Sequence, residues 1–273
     1  MRRIFLMVVV PYIFFLNTRL KSKVQRVSWI FVYFIPNIYL FNHFKPLDEG
    51  INIFLLFISI VVINLFYENG YIENDCKTIK FEKKPQLRLN IDEINWINKY
   101  WSFIIVTRII IASLLISLFY YLSEDIRSAS ILIFISILIQ GLYLIYNRIR
   151  NRLNLLLILP LSYLRFYGFI MPFVLNDSLK DFILATIFIY PLSKTLEFAS
   201  RKRFNLEFFI KYLKDINRFR VFYYLVFTIL FLLLSAKSIY LVVIIYYLIY
   251  RVVVWILVEK TPGINKYLSN RKS

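Results

Sequence analysis

Nine apolar runs punctuate the chain, near residues 4–16, 28–42, 51–67, 101–122, 129–147, 153–174, 180–199, 219–235 and 238–258. Several reach the length that a helix needs to cross a hydrocarbon core, about 20 apolar residues. The first is the shortest and reads as an interfacial or re-entrant segment followed by a basic linker, together spanning 1–27. The polar connections alternate in charge. Segments 17–27, 68–100, 148–152 and 200–218 and the C-terminal tail are rich in Lys and Arg, whereas 43–50, 123–128 and 175–181 are not. Basic connections stay on the cytoplasmic face, so this alternation predicts an all-α, polytopic membrane helix bundle of eight to nine spans. It also places the 68–100 loop and the C-terminus in the cytoplasm. The whole chain, 1–273, reads as one integral-membrane domain, and a bacterial inner membrane is the expected location.

Composition sharpens this picture. The chain is 60% hydrophobic, above the 45–50% of soluble domains. Five Gly and eight Pro leave little room for flexible linkers. The N-terminus, Met1-Arg2-Arg3 followed by apolar residues, has the outline of a signal peptide but lacks a small-residue cleavage site, so it is expected to stay in the mature chain. Cys76 is the single cysteine, so an intrachain disulfide is excluded. With His43 the only histidine, any metal must be held by oxygen, which points to magnesium rather than zinc. The net charge of +18 has a topological reading and a second one, attraction to anionic head groups or phosphorylated substrates. The expected partners are the bilayer and an anionic lipid, not nucleic acid.

Candidate chemistry concentrates between Tyr67 and Arg88. If this stretch is helical, Asn74, Thr78 and Glu82 share a face, with Asp75 adjacent and Lys83, Lys84 and Arg88 following. Carboxylate and amide oxygens suit magnesium, which takes one or two carboxylates plus substrate phosphates. Neighbouring cations would meet the remaining phosphate charge. A solvated loop with balanced charges is the alternative. Arg165 lies well inside an apolar run, where a charge usually faces the bundle interior or a cavity, and snorkelling to an interface is the alternative there. Lys194 and Glu197 stand three residues apart, a spacing that also suits a local ion pair.

Asn74-Asp75-x-x-Thr78-x-x-x-Glu82, followed by Lys83-Lys84-Pro85-Gln86-Leu87-Arg88, resembles the Asn-Asp-x-x-Asp-x-x-x-Asp signature of the UbiA superfamily of membrane prenyltransferases and the basic stretch after it. Thr78 and Glu82 stand where the family has aspartates. Tyr143, Arg148, Asn154 and Leu164-Arg165 follow an order similar to that of the branch that moves phosphoribose onto polyprenyl phosphate. Arg148 replaces a Lys of that branch and Asn154 an Asp. Lys194-x-x-Glu197 keeps the spacing of a further motif of the same branch.

The resemblance implies a UbiA-like transferase acting on a polyprenyl lipid. The expected reaction moves phosphoribose from a phosphoribosyl diphosphate to polyprenyl phosphate, as in polysaccharide biosynthesis. Asp75 and Arg165 would be catalytic. Asn74, Asp75 and Glu82 would hold magnesium with the diphosphate. Lys84, Arg88, Tyr143, Arg148, Asn154, Lys194 and Glu197 would bind substrate. Prenyl transfer from a polyprenyl diphosphate to a small aromatic acceptor is an alternative, and a catalytically degraded lipid-binding or transport component is another.

Overall fold

The computed structural model describes residues 2–47, 49–81, 87–149, 151–201 and 204–260. Regular structure among them is helical throughout, and no strand occurs among the described residues. Six helical stretches are long and apolar enough to cross a membrane: Gly50–Phe81, Trp101–Ser123, Ile126–Arg148, Asn176–Ala199, Ile216–Leu233 and Ser238–Lys260. The chain is therefore an integral membrane protein by length and composition of its helices. It divides into two compact units, Met1–Leu179 and Lys180–Ser273.

The first unit is built around one long helix. Its elements are α1 (Arg2–Val9), α2 (Ile13–Thr18), α3 (Lys23–Trp29), α4 (Ile35–Phe44), α5 (Gly50–Glu73), α6 (Ile91–Lys99), α7 (Trp101–Ser123), α8 (Ile126–Arg148) and α9 (Asn154–Tyr167). A π-turn at Ile30–Phe34 joins α3 to α4. Helix α5 packs against α7, α8, α9 and α2. It is apolar on every side, as a helix buried in a bundle must be, yet it carries an inward polar series of Asn52, Ser59, Asn64, Glu68 and Asn69, all buried. Local sequence sets the helix ends. Ser22 and Gln25 form a capping box on α3, and Asn90 and Glu93 form one on α6. Glu124, with φ 51°, ends α7 in the left-handed region, and Asp125 then caps α8.

The Asp125 cap is testable. The Ser128 hydroxyl and the Arg127 amide hydrogen-bond the carboxylate and hold it below the usual carboxylate range. A carboxylate lowered on folding stabilises the native state at neutral pH. That contribution is lost as the pH falls out of the ordinary range through the lower folded value. Asp125→Ala is expected to cost about 1 kcal/mol. Asp125→Asn keeps a capping oxygen, so its melting temperature should converge with that of the wild type in acid. A constant gap at all pH values would count against this role.

The short first run forms no span-length helix. Helices α1 and α2 make a hairpin broken at Val10–Tyr12, where Tyr12 adopts φ 69°. Such a backbone is costly for an aromatic residue, and a broken backbone inside a bundle is tolerated only when its polar groups find partners. They find them here. The Glu68 carboxylate accepts from the amides of Tyr12 (3.2 Å) and Phe15 (2.9 Å). Arg108 donates to the Val8 carbonyl, to the Leu65 carbonyl (2.8 Å), to Asn69 Oδ1 (2.6 Å) and to Glu68 Oε2 (3.0 Å). Around this knot lie Val8, Val9, Phe14, Ile72, Ile97 and Ile104, all buried.

The second unit contains the end of α10 (Asn176–Ile189), then α11 (Pro191–Ala199), α12 (Glu207–Tyr212), α13 (Ile216–Leu233) and α14 (Ser238–Lys260). Pro191 opens α11, a position where its missing amide hydrogen costs nothing. Asp215 caps α13, and Ser235, with φ 50°, closes the turn into α14. Helices α13 and α14 form an antiparallel pair.

Candidate functional site

The motif after α5 is not a continued α-helix. Asn74–Thr78 is a π-turn that runs into a short 3-10 turn at Ile79–Phe81. The face expected for Asn74 and Thr78 at helical spacing is therefore not kept. A π-turn adds a residue to the turn and rotates the residues beyond it, a device common at functional sites. Here it buries Asp75, whose side chain is 0% exposed.

Asp75 is held by two arginines. Arg19 approaches with both terminal nitrogens, Nη1 to Oδ2 at 2.7 Å and Nη2 to Oδ1 at 3.1 Å. Arg88 Nη1 reaches Oδ1 at 2.9 Å, and Asn74 Nδ2 reaches the same oxygen at 3.2 Å. Burial opposes the charge on Arg19, but the Asp75 carboxylate more than offsets this and raises the guanidinium above its ordinary value. Arg19 stands at the end of α2, so the buried hairpin delivers it.

Arg165, on α9, is 6% exposed and lies in an aromatic box. Its guanidinium carbon is 4.2 Å from the Phe15 ring centre, 4.7 Å from Trp29, 4.6 Å from Tyr67 and 5.5 Å from Tyr71. Nη1 donates to the Tyr71 hydroxyl at 2.6 Å, and Nε is buried without a hydrogen-bond partner among the described residues. Aromatic faces stabilise a desolvated cation by about 2 kcal/mol or more, but they leave its positive charge uncompensated. Tyr71 joins the two centres, because the Arg19 guanidinium lies 4.3 Å above its ring. Asp75 and Arg165 are thereby brought together through Arg19 and Tyr71.

Tyr143, on α8, packs edge-on against Tyr67, with ring centres 4.9 Å apart. It sits directly on Gly70, where any Cβ would run into the ring. One turn further, Asn147 donates to the Gly70 carbonyl (3.1 Å) and to Glu73 Oε2 (2.9 Å). Beyond it, Thr78, Phe81, Asn147 and Arg148 line a cleft of about 340 Å³, a volume at the lower end of small-molecule sites. Asn154, at the start of α9, is buried with Oδ1 unpartnered among the described residues.

Lys194 and Glu197 belong to the second unit. They pair at 3.3 Å, but the principal partner of Glu197 is Arg220, with contacts of 2.5 and 2.7 Å. Glu82 and Lys84 lie outside the described residues. Among the described residues no three His, Cys, Asp or Glu side chains group together. That part of the motif is a poor fit for magnesium, since both Asp75 oxygens already accept from guanidinium groups.

Sequence reasoning missed Arg19, Tyr71, Asn147 and Arg220. Arg19 reads as a loop cation and Arg220 as a charge where a span begins, and only tertiary packing distinguishes them from their solvated neighbours. Arg108 and Arg251 carried a usable signal, since each is a lone cation inside an apolar run, the same signal that marks Arg165. Comparison with known protein families, curated proteins and solved structures gives no match to this chain.

Proposed function

We propose that the chain is a membrane-embedded transferase acting on a polyprenyl lipid, similar to the phosphoribosyl-transferring branch of the UbiA superfamily. One observation carries this reading. Asp75 and Arg165, from two separate motifs, are buried in one cluster linked by Arg19 and Tyr71. In the proposed arrangement the bent α3–α4 helix and α9 complete a set of eight spans. The 68–100 segment and the C-terminus then face the cytoplasm of a bacterial inner membrane.

In the proposed reaction an oxygen of the lipid phosphate attacks the anomeric carbon of a phosphoribosyl diphosphate. The carbon–oxygen bond to the diphosphate breaks, and the diphosphate leaves with the electron pair. Little covalent help is required, so positioning and charge stabilisation dominate. Arg148 and Asn147, which line the cleft, would receive the diphosphate. Arg165 supplies an uncompensated charge for the second anionic group. Asp75 holds Arg19 and Arg88 in place. Magnesium, expected from the resemblance, would have to arrive with the diphosphate, because Asp75 is committed to Arg19 and Arg88.

Purified protein should form a lipid-linked phosphoribose from phosphoribosyl diphosphate and polyprenyl phosphate. Arg165→Ala should lower turnover about 10²-fold or more, the usual cost of removing one charge stabiliser. Unchanged turnover in a folded variant rejects the assignment. A product formed only from a polyprenyl diphosphate and an aromatic acceptor would move the chain to the prenyl-transferring branch. The double guanidinium clamp on Asp75 favours a second reading, a lipid-phosphate-binding component without metal-dependent chemistry. Lipid-phosphate binding with no turnover from either donor would select it.

A further inference from the structure

The second unit contains a charge cluster of its own. At three of its helices a tyrosine and a cation stand one turn apart: Tyr190, just before α11, and Lys194 within it, Arg220 and Tyr224 on α13, Tyr247 and Arg251 on α14. The tyrosines form one layer. Tyr224 stacks on Tyr247 at 5.2 Å, and Tyr190 lies 6.0 Å from Tyr247. Because α13 runs antiparallel to α14, Arg220 and Arg251 fall on the same side of that layer. Lys194 joins them through Glu197, which binds both Lys194 and Arg220.

The charges do not balance. Among the described residues three cations face one carboxylate, a surplus of two positive charges in a largely buried cluster: Arg251 is 8% exposed, and the side chains of Glu197 and Arg220 are 9% and 15% exposed. Two hydrogen-bond donors are also unspent, since Arg251 Nε and the Tyr224 hydroxyl are buried without a partner among the described residues. An uncompensated buried charge costs several kcal/mol, and charges inside a membrane bundle mark ligand pathways. Lys194, with its side chain 34% exposed, is the open side of the cluster.

We propose that Lys194, Arg220, Arg251 and Tyr224 form a binding site for a dianionic phosphate monoester, with Glu197 as the residue that positions Arg220 and Lys194. A phosphate monoester carries between about −1.5 and −2 at neutral pH, which matches the surplus. A phosphodiester, with a single charge, does not. The phosphate could belong to a lipid head group or be free in solution. The inference is argued from contacts within this unit; Lys194 and Glu197 are the two members that the resemblance also assigns to substrate binding.

The test uses the full chain and residue-resolved acylation of Lys194, read by mass spectrometry. One arm adds inorganic phosphate to protein in phospholipid-free detergent. The other compares phosphatidylcholine vesicles containing phosphatidic acid, a monoester, with vesicles containing phosphatidylglycerol, a diester. Several-fold protection of Lys194 is expected in at least one arm, with labelling of the exposed Lys237 unchanged. Protection by inorganic phosphate identifies a free anion, and protection by phosphatidic acid alone identifies a lipid. R251Q should abolish the protection and K99Q, which alters an exposed cation of the first unit, should retain it. Absence of protection in both arms, equal protection by the diester, persistence in R251Q or loss in K99Q would each overturn the proposal. If R251Q fails to fold, the wild-type arms decide.

Discussion

Arg108→Leu is expected to destabilise the protein by about 3–5 kcal/mol, the cost of breaking a buried ion pair from one side. Arg108 is fully buried and spends its guanidinium on Glu68, Asn69 and two backbone carbonyls. Without it, the Glu68 charge is left with only the two amides at the start of α2. The hairpin should loosen, and Phe15 and Arg19 with it, so protease sensitivity near Val10 should rise with the loss of stability. The double variant Arg108→Leu, Glu68→Leu should recover only part of the loss. It removes both charges but strands the Val8 carbonyl and the Tyr12 and Phe15 amides in an apolar core. Thermal unfolding in detergent checks both. An Arg108→Leu variant within about 1 kcal/mol of the wild type, the scale of an ordinary point substitution, would remove the ion pair from this role.

Gly70→Ala is the second large effect, and it is expected to cost about 1–3 kcal/mol by overpacking. The new Cβ would run into the Tyr143 ring, which cannot swing freely because Tyr67 and Tyr71 flank it. Helices α5 and α8 would have to separate at the point where Asn147 bonds Gly70 and Glu73, and the adjoining cleft would change shape. Tyr143→Ala on its own opens a cavity. Combined with Gly70→Ala it should restore part of the lost stability, because the clash disappears. The four-way comparison of melting temperatures measures this coupling. Simple additivity would show that the two residues do not oppose one another.

Much of the architecture was legible in the chain. Long apolar runs between polar connections mark the helices α5, α7, α8, α13 and α14, because a bilayer demands length and low charge and nothing more specific. The burial of Arg165 was also visible, since a lone cation in an apolar run usually faces the bundle interior or a cavity. Its aromatic enclosure was not, because Phe15, Trp29, Tyr67 and Tyr71 are ordinary apolar positions until the fold assembles them. Asp75 stood out by its neighbours, but α-helical spacing does not hold through Asn74–Thr78. Across that π-turn Asp75 and Thr78 are buried and Asn74 is half-buried.

Hydropathy, charge alternation and single misplaced ions thus establish a membrane-embedded helical chain and point to where its polar chemistry lies. These properties are local, and each residue declares them alone. Which cation meets which carboxylate is not local. That Arg19, remote in the chain, clamps Asp75, that Arg220 rather than Lys194 dominates Glu197, and that Glu68 and Arg108 sustain a broken hairpin were decided by packing. Within a bundle, desolvation makes every unpaired charge costly, so the fold selects pairings by proximity across helices and not by spacing along one of them.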